Sequence, residues 1–174
     1  PEVVKNNMFC VYILGGSNTN YNLEGEDAYK RLFITTIGIL SRCLNNVVLL
    51  VKPHPTIEDI SFFEDEIRKY NNIEITYLHP SILSRNAVFM ISNTFTTVFN
   101  DAKLQNIKTI EFTHYKDEVL RLTKGESLGG SKVDYFINNK PGELLKTVEK
   151  LLSMKGSDDN DITIPRSDYT CNTS

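Results

Sequence analysis

The sequence predicts an α/β domain: a parallel sheet of buried strands with helices on both faces. Three observations carry that expectation. Short, continuously apolar runs such as Met8 to Leu14, Val47 to Val51 and Ala87 to Ser92 have the look of strands covered on both sides. The segments between them place apolar residues at helical spacing, so strand and helix alternate. A chain of 174 residues, 40% hydrophobic and 24% charged, is long enough for one substantial core.

The first strand, Met8 to Leu14, ends in Gly15-Gly16. After a polar loop, Phe33, Ile37, Leu40 and Leu44 mark one face of a helix that begins near Asp27. Val47 to Val51 follows as the second strand and is stopped by Lys52-Pro53-His54-Pro55. Thr56 with Asp59 forms a plausible capping pair for a helix carrying Ile60, Phe63, Ile67 and Tyr70. Ile73 to Tyr77 reads as a third strand, Pro80 to Arg85 as a turn or short helix, and Ala87 to Ser92 as the fourth strand. A helix from about Thr96 to Gln105 leads to the fifth strand, Lys108 to Phe112. Thr113 to Val133 has little periodicity and reads as a loop-rich excursion near a site. Asp134 to Ile137 is a last short strand, and Pro141 opens a helix with Leu144, Val148, Leu151 and Leu152 on one face. The folded domain is expected over 1–153, with 154–174 a polar tail.

Five or six strands alternating with helices predict a Rossmann-like sheet with its ligand site where the strands end. Three strand exits carry suitable residues. At the second, two prolines restrict the backbone around His54, so a protonated or hydrogen-bonding imidazole beside Lys52 is positioned to meet a phosphate; a rigid turn with a solvent-facing histidine is the competing reading. At the fourth, Ser92, Thr94, Thr96 and Thr97 supply hydroxyls near a helix amino terminus, where exposed N–H groups favour anions, against the plainer reading of helix capping. At the first, Gly16 and Ser17 allow backbone to approach a phosphate closely, although this is no GxGxxG motif and a plain turn competes. His79-Pro80 and His114-Tyr115 also follow strands and read first as turn or surface residues.

The order of these motifs resembles a family. KPHP after a strand is followed about 40 residues later by a Ser/Thr pair, here Thr96-Thr97, and an acidic residue before alanine, here Asp101-Ala102. This resembles the carboxy-terminal half of GT-B-fold bacterial sialyltransferases, polysialyltransferases and capsule-polysaccharide transferases, from about Phe9 to Leu152. The resemblance implies a metal-independent transferase whose donor is CMP-sialic acid or another cytidine-activated sugar, acting in surface polysaccharide or glycolipid synthesis. It implies that His54 binds the phosphate and stabilises the leaving group, that Thr96 and Thr97 hold the same phosphate, and that Asp101 meets a ribose or sugar hydroxyl. The acceptor surface and general base would come from an amino-terminal domain absent from this chain, which begins at Pro1 and not at a methionine. The sequence departs from the family in using Thr-Thr where many members have Ser-Ser, and in lacking the family's acidic base motif, of which Glu24-Gly25-Glu26 is only a superficial likeness.

Composition narrows the alternatives. A net charge of −3 with no long basic block gives no electrostatic footprint for nucleic acid. Cys10, Cys43 and Cys171 are widely spaced and have no His cluster, which reads as reduced thiols in a cytoplasmic protein with no metal site. Asp159-Asn160-Asp161 reads as solvated charge, Asn172-Thr173-Ser174 as an idle sequon, and no apolar run approaches the roughly 20 residues of a membrane span. No cofactor is expected. A sugar-nucleotide epimerase and an inactive binding or scaffold domain of the same fold remain as alternatives.

Overall fold

The computed structural model describes residues 8–16, 22–25, 27–44 and 46–158. In chain order these form β1 (Phe9–Ile13), α1 (Ala28–Cys43), β2 (Val48–Lys52), α2 (Ser61–Ile67), β3 (Ile73–Ile75) and α3 (Pro80–Leu83). They continue with β4 (Ala87–Ser92), α4 (Phe99–Leu104), β5 (Lys108–Thr113), α5 (Asp117–Leu122), β6 (Tyr135–Asn138) and α6 (Pro141–Asp158). The six strands make one sheet in the order β3-β2-β1-β4-β5-β6, and every adjacent pair is parallel. This is the doubly wound order. The chain runs outward from β1 to β3, returns to β4 beside β1, and runs outward again, so a crevice opens at the carboxyl ends of β1 and β4.

Alternation along the strands feeds two cores. Cys10, Tyr12 and Leu14 face one side and are covered by Leu32, Phe33, Ile37 and Leu40 of α1, Phe63 and Ile67 of α2, and Leu144, Val148 and Leu151 of α6. Phe9, Val11 and Ile13 face the other side, beneath Leu83 of α3 and Phe99 and Ala102 of α4. Tyr12 stacks on Phe33 at 5.6 Å between centroids, and Phe63 meets Phe33 edge-on at 4.9 Å. Each such ring contributes about 1.5–3 kcal/mol on burial.

Several boundaries differ from the sequence reading for local reasons. Thr56 and Asp59 do not form a capping pair: Thr56 turns to His54, while Asp59 Oδ1 accepts the Ser61 N–H at 2.9 Å and α2 begins at Ser61. Helix α4 begins at Phe99, not Thr96, because the intervening residues form a turn in which Phe99 and Asn100 donate their N–H groups to the carbonyls of Thr96 and Thr97. β3 stops at Ile75, after which Thr76 Oγ1 accepts the Leu78 N–H and turns the chain. The excursion after β5 contains α5 and a 3-10 turn at Gly130–Lys132. Helix α6 runs through Asp158, past the expected boundary at residue 153, with Lys155 in its last turn opposing the helix dipole.

At the opposite, amino-terminal end of β5, Asp134 is a structural clamp. Its carboxylate accepts from the Thr109 N–H (2.9 Å), the Thr109 hydroxyl (3.0 Å) and Lys103 Nζ (2.7 Å). Burial opposes ionisation, but the Lys103 ammonium and the Thr109 donors outweigh it and hold the carboxyl below its ordinary value. A lowered pKa means stability that is present above the unfolded-state value and lost as pH falls through the folded one. Asp134→Ala is therefore expected to cost about 1–2 kcal/mol near neutrality, mostly through the Thr109 bonds because solvent screens Lys103. Urea titrations should show the gap between variant and wild type narrowing as pH falls below the ordinary carboxyl value; a gap that persists unchanged in acid would rule out the ionised clamp.

Candidate functional site at the carboxyl rim of the sheet

The rim is built from the exits of β1, β2, β4 and β5. One register row crosses the sheet just inside it: Lys52 on β2 is opposite Ile13 on β1, Ile13 is opposite Ser92 on β4, and Ser92 is opposite Glu111 on β5. The structure thus brings the first, second and fourth strand exits together at the sheet's reversal point.

His54 is exposed, one residue beyond the buried Pro53. Its Nδ1 accepts the backbone N–H of Thr56 at 3.2 Å and lies 2.8 Å from the Thr56 hydroxyl. A backbone N–H can only donate, so Nδ1 is the acceptor and the ring proton sits on Nε2. The turn therefore holds the ring through Nδ1 and leaves the Nε2–H as the donor available to a ligand. The same device recurs at the next strand exit, where His79 Nδ1 accepts the Ser81 N–H at 3.3 Å and caps α3. Gly16 lies against the His54 turn: a Cβ on residue 16 would stand 2.9 Å from Thr56 Oγ1 and 3.0 Å from His54 Nδ1. Only glycine fits there without moving the histidine. Ser17 lies outside the described residues, as does Glu26. Lys52 is half-buried at the end of β2, and its carbonyl accepts the Leu14 N–H.

The β4 exit is tied down residue by residue. Ser92 is fully buried, and its hydroxyl donates to the Ile13 carbonyl at 2.9 Å, so it fastens β4 to β1 inside the sheet and not on the open rim. Asn93, also fully buried, accepts from the Tyr12 hydroxyl and donates to Thr36 Oγ1 (2.9 Å) and the Phe112 carbonyl (2.7 Å). Thr94 is buried without a hydrogen-bond partner for its hydroxyl. Phe95 donates its N–H to the Tyr115 hydroxyl at 3.3 Å. Thr96 is half-buried and its Oγ1 accepts the Val98 N–H, whereas Thr97 is exposed. Asp101 is half-buried in the first turn of α4.

Two groups that sequence reasoning missed hold this loop in place. Asn93 is one. The other is Glu111, fully buried on β5, whose carboxyl accepts from the Tyr115 and Ser127 hydroxyls. Burial raises its pKa above the ordinary carboxyl value, against the lowering effect of Ser127, Tyr115 and the Phe95 N–H. The signal was the alternation of Thr109, Glu111 and Thr113 through a strand otherwise read as buried. Gly129 packs so closely on the Phe95 ring that any side chain there would displace it. A strap completes the rim: Leu23 bridges Tyr115, the Glu24 N–H donates to the His114 carbonyl, and the Lys116 N–H to the Asn22 carbonyl.

Among the described residues no group of three His, Cys, Asp or Glu side chains is arranged to hold a metal ion, and no helix is long and apolar enough to cross a membrane. A groove of about 530 Å³ lies between α1 and α6, lined by apolar Ile39 and Leu145 with Arg42 and Glu149 as its charged residues.

No protein-family model matches the sequence, and no curated protein matches it. Solved structures do match in shape. The glycotransferase of kitacinnamycin superposes with a TM-score of 0.53 at 10% identity over 88% of this chain. A protein assigned as a UDP-N-acetylglucosamine 2-epimerase from Listeria monocytogenes gives 0.58 at 13% over 91%. The Anabaena HepE protein, solved in complex with UDP-glucose, gives 0.56 at 10% over 88%. The chain spans 37%, 39% and 41% of their respective lengths. At such identities the likeness is one of architecture: this chain has the six-stranded, doubly wound Rossmann-like fold of a GT-B half-domain.

Proposed function

We propose that this chain is the nucleotide-sugar-binding half of a metal-independent glycosyltransferase, gripping the donor at the carboxyl rim. The observation that carries the reading is the seat of His54 on Gly16: a pinned imidazole with an outward Nε2–H, at the reversal point of the sheet, where a side chain on residue 16 would collide with it. Transfer of a sugar from a nucleotide builds negative charge on the leaving phosphate, so fixed neutral donors there favour the transition state without a cation. In this reading His54 meets that phosphate, with Thr96, Thr97, Lys52 and the backbone at Gly16 and Ser17 around it, and Asp101 meets a ribose or sugar hydroxyl. The base is read as cytidine, and the donor as CMP-sialic acid or a similar sugar, on the His-Pro resemblance; the UDP-glucose bound by HepE makes uridine donors the comparator. The general base and the glycan or glycolipid acceptor surface belong to an amino-terminal domain.

Two substitutions separate the turn from the ligand. His54→Asn keeps an acceptor for the Thr56 N–H but removes the outward donor; His54→Gln keeps an outward N–H but gives up the turn. Calorimetric titration with CMP and UDP, with and without chelator, is expected to show weak metal-independent binding that His54→Asn lowers by roughly 10-fold, the scale of one hydrogen bond to a charged group, with no loss of melting temperature. A strict metal requirement, or unchanged affinity in His54→Asn, would return His54 to a turn residue. The epimerase reading is favoured by the Listeria neighbour alone, and a free sugar product made by the full-length protein without acceptor would support it.

A further inference from the structure

Two buried hydroxyls at the rim, Thr94 Oγ1 and Thr113 Oγ1, have no hydrogen-bond partner, with Thr94 3% exposed and Thr113 fully enclosed. Their surroundings make this pointed. Ser92 is bonded to Ile13, Asn93 to Tyr12, Thr36 and Phe112, and Glu111 to Tyr115 and Ser127. Buried polar groups are ordinarily satisfied, and an unmet hydroxyl costs its desolvation without return. Beyond the last register pair, Ser92 opposite Glu111, the Asn93 amide donates to the Phe112 carbonyl at 2.7 Å, and the two orphans are the residues that follow that contact in each chain.

We infer that Thr94 and Thr113 form a subsite for a neutral ligand hydroxyl, of the kind carried on a sugar ring, at the exits of β4 and β5. The inference rests on the nucleotide-sugar reading above and adds where the sugar is held. A threonine hydroxyl both donates and accepts, so a pair of them is completed by a third hydroxyl, which can accept from one and donate to the other. An anion can only accept. Glu111 lies two residues before Thr113 on the same face of β5, fully buried, and a phosphate placed against Thr113 would face that carboxyl. The phosphate therefore belongs on the β1–β2 side of β4, by His54, with the neutral sugar on the β5 side.

The test is calorimetric titration of this chain with UDP, UDP-glucose, CMP and CMP-sialic acid, alongside thermal melts without ligand. Wild type is expected to bind one sugar nucleotide more tightly than its bare nucleotide. Thr113→Val should bind the bare nucleotide as before and lose about 5- to 20-fold in affinity for the sugar nucleotide, the scale of one or two hydrogen bonds. Thr113→Ser should restore most of that loss, and Thr94→Val should weaken the sugar nucleotide at least as much. Both valine variants should melt at or above the wild-type temperature, since valine fills the same space without an unmet hydroxyl. Wild-type affinity for the sugar nucleotide in both valine variants overturns the inference. So does a lower melting temperature in the absence of ligand, which would mean that the hydroxyls already hold an internal water. Tight nucleotide binding with no gain from any sugar overturns the subsite and leaves the nucleotide reading standing; no binding of any of the four overturns both.

Discussion

Asn93→Leu is expected to lower the free energy of unfolding by about 3–5 kcal/mol, through loss of hydrogen bonds and not through an empty cavity. Leucine has the same branched heavy-atom skeleton as asparagine and is bulkier, so no cavity opens. What goes is the amide acceptor for the Tyr12 hydroxyl and the side-chain donor to the Phe112 carbonyl, both deep in the sheet. Burial pushes the Tyr12 phenol pKa well up, so it stays a protonated donor that has lost its amide acceptor and keeps Thr36 nearby. Each stranded group costs roughly 1–3 kcal/mol. The pair Asn93→Leu with Tyr12→Phe should cost less than the sum of the single changes, because the second removes the donor that the first strands. Urea unfolding of the four proteins decides the matter, and a single-variant loss under about 1 kcal/mol would mean that the network is not needed to hold the β4 exit.

Much of the frame was legible because it depends on local pattern. β4 is where its apolar run placed it, Ala87–Ser92, and β1 and β2 lie within a residue or two of theirs, since strands buried on both faces must be continuously apolar. Pro53 and Pro55 marked the β2 exit because proline fixes its own backbone and its neighbour's. The start of α4 was not legible, because nothing local distinguishes Thr96 in a helix from Thr96 in the turn that precedes one. Nor was the strap of Leu23 on Tyr115, a pairing between loops some 90 residues apart that only the completed sheet brings together. Asn93 stood within a run of hydroxyl residues that reads naturally as an anion loop; its inward orientation follows from the strand's alternation continuing one residue past Ser92. The loop is thus fastened by residues that face away from the rim, and the side chains available to a ligand are the ones the fastening leaves over.

Glu111 governs how that fastening responds to pH. Its carboxyl ends two relays: the Phe95 N–H donates to the Tyr115 hydroxyl, which donates to one carboxyl oxygen, and the Gly129 N–H donates to the Ser127 hydroxyl, which donates to the other. Through them one buried group holds both the β4 exit and the excursion that packs on Phe95. Because burial raises the folded-state pKa above the unfolded value, the folded state binds the proton more tightly, and the stability Glu111 contributes is full below the unfolded pKa and declines as pH rises through the folded one. Glu111→Gln keeps one acceptor and cannot ionise, so the difference in stability between wild type and Glu111→Gln should shift in the variant's favour as pH rises from 4 to 8. Glu111→Ala strands both hydroxyls and opens a cavity, at an expected cost of about 3–4 kcal/mol at pH 4 that narrows toward pH 8 in step with the Gln difference. Urea unfolding of the three proteins across that range measures both effects. Parallel wild-type and Gln curves would show that the carboxyl titrates alike in the folded and unfolded chains, and a small loss in Glu111→Ala would show that Tyr115 and Ser127 hold the loops without it.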